Sequence, residues 1–177
     1  MPIEQSFFNS PLGILEIKVT DYFVCSILFT NTNKKTIPIT ENTNTTEKKY
    51  PLTMRCHQQL SEYFNGKRIL FELPFQQTGT NFQQKIWNEL TSIPFGKTIS
   101  YMELSRKIGN SKAIRAAGSA NGNNSICIVV PCHRVIGSNG ELKGYNGDLW
   151  RKKWLLEHEG KYTNGMQPYI EFSKEQS

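Results

Sequence analysis

Apolar and polar positions alternate through the first thirty residues. Leu15, Ile17 and Val19 fall on one face of a strand pattern and Ile14, Glu16 and Lys18 on the other. Residues 22–29 form a second apolar run, and Thr20 with Asp21 makes a short turn between them, which predicts an antiparallel hairpin. Residues 30–49 are dominated by Thr, Asn and Lys without a period and read as a loop. Over residues 52–64 the spacing of Met54, Cys56, Leu60, Tyr63 and Phe64 predicts a helix that Asn65 and Gly66 stop. Residues 69–73 read as a short strand broken by Pro74, and residues 76–79 as a polar linker.

The second half is more sharply punctuated. Thr80 and Gln83 make a capping-box pattern ahead of Phe82, Ile86, Leu90 and Ile93 on one helical face, which Pro94 and Gly96 terminate. Ser100 and Glu103 repeat that pattern before a helix from Tyr101 to Ile108, stopped at Gly109. Asn110 and Ser111 then cap a third helix over about 112–120, ended by Asn121 and Gly122. Two short helices around a tight turn resemble a helix-turn-helix. Ala113, Ala116, Ala117, Gly118, Ser119 and Ala120 give the third helix a slim surface from which Arg115 projects. Such a helix suits close approach to a nucleic acid backbone or minor groove, and equally suits close helix packing. Tyr101 is either a core aromatic or a phosphate contact.

An apolar run, residues 126–130, reads as a strand ending on Pro131 and delivering Cys132 to the rim of a buried sheet. His133 and Arg134 follow, an imidazole and a guanidinium, the kinds of group that raise a thiolate fraction. Side chains of adjacent strand residues point apart, so contact between Cys132 and His133 requires a turn or a bridging water. The opposing reading is an inert small hydrophobe at the end of a core run. Residues 137–140 read as a hairpin turn, residues 144–147 as a glycine-rich loop, and residues 150–158 as a last helix. Glu159, at its C-terminal end, is either the carboxylate that orients His133 or a solvated surface group.

Composition narrows the class. Hydrophobic content of 37% and charged content of 20% describe a folded domain or two within 177 residues. The net charge of +6 lies mostly in residues 80–160, with 11 Lys and Arg against 6 Asp and Glu, which favours a polyanionic partner there. No basic-then-apolar leader and no span of membrane length is apparent, so a cytoplasmic protein is expected, nuclear if the source has a nucleus. Cys25, Cys56, Cys127 and Cys132 form no CxxC pair, and the two Cys-His neighbours lack metal-ligand spacing, so no metal is expected.

Taken together, FQQKIWNEL, IPFGKTISY, RAAGSANGNN, IVVPCHRVIG, LKGYNGD and KKWLLEHEG, in this order between residues 82 and 160, resemble the O6-alkylguanine-DNA alkyltransferases. The resemblance implies an α+β chain. A small N-terminal sheet-plus-helix, ribonuclease-H-like domain (1–79) is followed by a winged-helix-like helix-turn-helix domain (80–160) carrying the acceptor cysteine, then a tail (161–177). It implies stoichiometric, irreversible transfer of the alkyl group from O6-alkylguanine in duplex DNA, and from O4-alkylthymine, to Cys132 after nucleotide flipping. His133 would act as base through a water, Glu159 would orient it, and Asn124 would buttress the active-site turn. Arg115 would fill the space left by the extruded base, with Ala116 and Ser119 beside it on the DNA. Tyr101 would press on the flipped phosphate and hydrogen-bond the purine, and Val135, Tyr145 and Asn146 would line the guanine pocket. No cofactor, no membrane and a monomeric protein on the minor groove are implied. Ser125 stands where the family usually has proline, and Asp148 where it usually has glycine, adding a charge near the pocket mouth. A non-catalytic lesion sensor of the alkyltransferase-like type would lack the acceptor cysteine, which is present here. A methyl-phosphotriester-sensing regulator would need a further domain.

Overall fold

The hairpin expected over residues 14–29 forms, and a further strand ahead of it joins the sheet. In the computed structural model, which describes residues 1–39 and 50–163, β1 (Glu4–Ser10), β2 (Gly13–Val19) and β3 (Val24–Phe29) form an antiparallel sheet in that order. Ile17 faces Ser6 on one side and Ile27 on the other, and a bulge at Lys18 and Val19 re-registers the end of β2. Leu15, Ile17 and Val19 are wholly buried against α1 (Pro51–Phe64), whose Leu52, Cys56, Leu60 and Tyr63 close the core from the other side. Glu16 is the exception on its face. It is buried, and Gln5 Nε2 at 2.5 Å and Lys18 at 3.4 Å meet its carboxylate. This sheet-and-helix unit ends at Gln77, and a second unit runs from Thr78.

The strand expected over residues 69–73 is absent. Ile69 and Leu70 are exposed, and the Gln59 side chain takes up the backbone of Glu72 at both its N–H (2.8 Å) and its carbonyl (3.3 Å). Pairing with β3 slips past Pro74, where Val24 N donates to the Pro74 carbonyl and Gln76 N to the Val24 carbonyl. A side-chain amide has replaced the ladder that proline could not continue. Of the loop expected over residues 30–49, positions 40–49 lie outside the described residues.

The second unit comprises α2 (Asn81–Leu90), β4 (Ile99–Ser100), α3 (Tyr101–Lys107), α4 (Ile114–Gly122), β5 (Val135–Ile136) and α5 (Leu149–Lys161). Thr80 and Gln83 complete a reciprocal capping box on α2. Ser100 accepts from Glu103 N at the head of α3. Gly109 ends the turn after α3 at φ +81°, a conformation open to glycine. The expected cap of α4 shifts. Its N-cap is Ala113, without a side-chain bond, while Asn110 Oδ1 accepts from Lys112 N one turn earlier. Ala117 and Ala120 pack inward, and Trp87 Nε1 donates to the Ala120 carbonyl at 2.9 Å, locking α2 to the end of α4. The parallel pair β4–β5 matches Ile99 to Val135 and Ser100 to Ile136, which draws the start of α3 beside residues 132–134.

Candidate active site

Residues 126–130 form a turn rather than a strand. Val129 N donates to the Cys127 carbonyl and Val130 N to the Ile126 carbonyl, and Ile128 sits at φ +72°. All five side chains are buried, so the run has no solvent face, and among the described residues it makes no strand. Asn124 replaces the missing ladder. Its Nδ2 donates to the carbonyls of Val130 (2.8 Å) and Ile126 (3.3 Å), and its Oδ1 accepts from Ile126 N (3.0 Å). A β-branched residue in the left-handed region costs on the order of 1–3 kcal/mol, and this buried side-chain clamp holds it there. Pro131 then leads into a 3-10 turn, Cys132–Arg134. Asn121 Nδ2, from the end of α4, donates to the Cys132 carbonyl at 3.2 Å.

The thiol departs from expectation. Cys132 is 5% exposed, and burial pushes its pKa up rather than down. The Asn124 side chain, the Lys152 ammonium and the amides of residues 132 and 133 pull it back in part. At rest the sulfur is therefore protonated, and deprotonation belongs to a later step. Arg134 does not serve the sulfur. Its guanidinium turns to Glu159, with Nε donating to Oε2 and Nη2 to Oε1, both at 2.9 Å, while Nη1 donates to the Ile93 carbonyl at 2.6 Å.

His133 and Glu159 meet with no exposure on either side chain, His133 Nε2 lying 2.7 Å from Oε1. Glu159 also accepts from Gly96 N at 3.2 Å. Burial would raise its pKa, but His133, Arg134 and the bonds they donate outweigh this and hold the carboxyl far below its ordinary range. Burial lowers the pKa of His133 against the pull of Glu159, so the imidazole is neutral. An ionised carboxylate at Nε2 requires the proton on that nitrogen, which leaves Nδ1 with a lone pair. Among the described residues Nδ1 has no hydrogen-bond partner, and it is thus a ready proton acceptor.

A buried ammonium closes the other side. Lys152 Nζ on α5 donates to the carbonyls of Val135 and Lys143 (the latter at 2.7 Å) and to the Tyr101 hydroxyl at 3.3 Å. Burial brings its pKa down from 10.5 to about 8. Tyr101 in turn donates to the Lys143 carbonyl at 2.6 Å, and burial raises its own pKa. A Cβ on Gly144 would stand 2.6 Å from the Tyr101 oxygen, so glycine is required where this loop crosses the phenol. An apolar cavity of about 290 Å³ opens in front of Tyr101, between Met102, Ile114, Arg115 and Gly118 of the two helices and Ser138, Lys143 and Gly144 of the loops.

The structure therefore gathers Cys132, His133, Glu159, Asn124 and Tyr101 into one neighbourhood. Arg115, Ala116 and Ser119 share the exposed face of α4, whose opposite face is core, so the slim helix both packs and presents a surface. Val135 and Tyr145 are buried and Asn146 is exposed; none of the three borders the 290 Å³ cavity, and the Val135 carbonyl is engaged by Lys152. Asp148 does not charge the pocket mouth: its carboxylate turns inward to Arg151 Nη1 at 3.2 Å. Lys152, Asn121 and the Glu159-clamping role of Arg134 escape sequence reasoning, because a lysine in a helix reads as solvated and a guanidinium beside a cysteine reads as its partner. Among the described residues no cluster of three or more His, Cys, Asp or Glu could hold a metal, and no helix is long and apolar enough to cross a membrane.

A helix-turn-helix unit presenting an arginine-bearing helix beside a buried Cys-His-Glu constellation defines the class as a DNA-binding protein with a cysteine at its centre. Residues 81–161 match the model of the 6-O-methylguanine DNA methyltransferase DNA-binding domain, and residues 3–77 match the ribonuclease-like domain of the same family. The methylated-DNA–protein-cysteine methyltransferase of Methanosarcina acetivorans is 39% identical over 88% of this chain and 97% of its own. The constitutive enzyme of that name from Bacillus subtilis is 50% identical over 64% of this chain and 68% of its own. A crystal structure of Mycobacterium tuberculosis OGT in complex with DNA superposes with a TM-score of 0.73, at 35% identity over 88% of this chain and 92% of that one. The chain belongs to the 6-O-methylguanine DNA methyltransferase family.

Proposed function

We propose that this protein repairs DNA by moving the alkyl group of O6-alkylguanine, and of O4-alkylthymine, onto Cys132, once per molecule and without a cofactor. It binds the minor groove as a monomer and works in the cytoplasm. The observation that carries this reading is the buried His133–Glu159 pair, which leaves a lone pair on Nδ1 one residue from a thiol. An alkylated base is sealed within the duplex, so it must be extruded at a cost of a few kcal/mol, with Arg115 filling the gap. The Cys132 proton passes through a water to His133 Nδ1, and the imidazolium so formed is stabilised by Glu159. The thiolate then attacks the alkyl carbon, the C–O6 bond breaks, and the electron pair leaves with the purine, which is neutralised by a proton from the Tyr101 side. Asn124 keeps the turn in register, and Tyr145 and Asn146 of the glycine loop, with Ala116 and Ser119 on the helix, complete the binding surface. The thioether product has no route back.

Incubation with duplex DNA carrying O6-methylguanine should add one methyl mass to the peptide holding Cys132. Cys132→Ala should abolish transfer and keep DNA binding. Clearance of the lesion by Cys132→Ala would refute the assignment.

A further inference from the structure

We infer that Arg134 is a positioning residue for the transfer: by gripping both oxygens of Glu159 it holds the carboxylate on His133 Nε2 and fixes the imidazole in one orientation and one tautomer. This rests on the function proposed above for Cys132 and His133.

The geometry is over-determined on one side of the carboxylate. Arg134 places Nε on Oε2 and Nη2 on Oε1, the fork geometry a guanidinium matches and an ammonium does not. Its third nitrogen is spent on the Ile93 carbonyl, and its Cζ lies over the Phe95 ring, 5.8 Å from the centroid. The same turn, residues 94–96, returns Gly96 N to Oε2. With these donors in place Oε1 has one direction left for His133, so the imidazole cannot rotate or exchange tautomers without breaking the set. The charges matter as much as the geometry. His133 is faced by Glu159 and Lys152 from α5 and by Cys132 and Arg134 from its own turn. A lone carboxylate against an imidazole invites a resting proton onto Nδ1, which would disable it as a base. Arg134 and Lys152 oppose that proton. Arg134 therefore makes Glu159 an orienting group without making it a proton trap.

The test compares Arg134→Met and Arg134→Lys with the natural protein, reading His133 by nitrogen-15 NMR and transfer from free O6-benzylguanine as a function of pH. Arg134→Met should move the acid limb of the rate profile and the His133 titration upward together by about one pH unit, and slow transfer at neutral pH about tenfold. Arg134→Lys should keep the acid limb near its natural place while the NMR reports mixed tautomers. Should Arg134→Met not fold, Arg134→Met/Glu159→Gln removes both buried charges and should transfer no more slowly than Glu159→Gln alone. An unmoved His133 titration in Arg134→Met, or additive losses in the double variant, overturns the inference. Because the NMR readout needs no alkyl transfer, failure of the natural protein to label Cys132 would overturn the proposed function separately.

Discussion

The ammonium of Lys152 donates to the hydroxyl of Tyr101 at 3.3 Å, and Tyr101 lines the cavity. The two also share one acceptor, the Lys143 carbonyl. Lys152 thus joins α5, β5, the start of α3 and the glycine loop through one nitrogen, which pairs with no carboxylate among the described residues. Such a group is costly to bury, and its retention points to the site rather than to the core.

Lys152→Met should therefore slow transfer from free O6-benzylguanine and from duplex alike by tenfold or more, since it frees Tyr101 whichever substrate arrives. Its stability signature has a definite sign. The folded pKa is depressed to about 8 from 10.5, so between those values the unfolded chain holds the proton that the folded chain has lost. Stability of the natural protein relative to Lys152→Met should rise from about pH 8 to 10.5. Urea unfolding across that window measures it, and a flat difference would contradict the burial of a charged amine.

Arg115 is exposed on α4 and lines the cavity. Arg115→Ala should slow repair of duplex DNA at least tenfold more than transfer from the free base, because only the duplex needs a filler for the vacated stack. Parallel single-turnover rates on the two substrates decide the matter, and equal losses would remove the role.

Asn124→Ala deletes three hydrogen bonds that restrain the turn holding Ile128 at positive φ. At about 1 kcal/mol each, with the buried Ile126 N–H left without its acceptor, the loss should be about 3 kcal/mol. Thermal unfolding should show it as a fall of very roughly 10 °C for a chain of this size. Transfer activity should fall further than the unfolded fraction explains, since Cys132 closes the same turn.

Asp148 occupies φ +71°, a region where glycine is at ease, and pairs with Arg151 at 3.2 Å. Asp148→Ala and Asp148→Gly both delete that pair and differ only in backbone freedom. Asp148→Gly should be the more stable by about 1 kcal/mol in urea unfolding. Equal stabilities would mean that the loop relaxes without strain.

Much of this molecule is written locally. The hairpin of β2 and β3 follows from alternation, and α2 from a capping box whose two bonds span four residues. Asn124 and Glu159 were legible through resemblance of their surrounding motifs. The run 126–130 misled because β-branched residues favour strands wherever a partner strand exists, and here Asn124 occupies the positions such a partner would take. Residues 69–73 misled likewise, with Gln59 standing in for the neighbour.

Sequence alone determined the N-terminal hairpin, the heads of α2 and α3 and the likeness to the family, because propensity, capping and turn chemistry act between residues a few positions apart. Only the tertiary structure decided that the Cys132 thiol rests protonated, that Arg134 serves Glu159 rather than the sulfur, and that Lys152 lies inside. Those outcomes depend on desolvation and on charges brought together from positions 93 to 159, and the free energy of burying a charge is a property of the whole enclosure rather than of any stretch of chain.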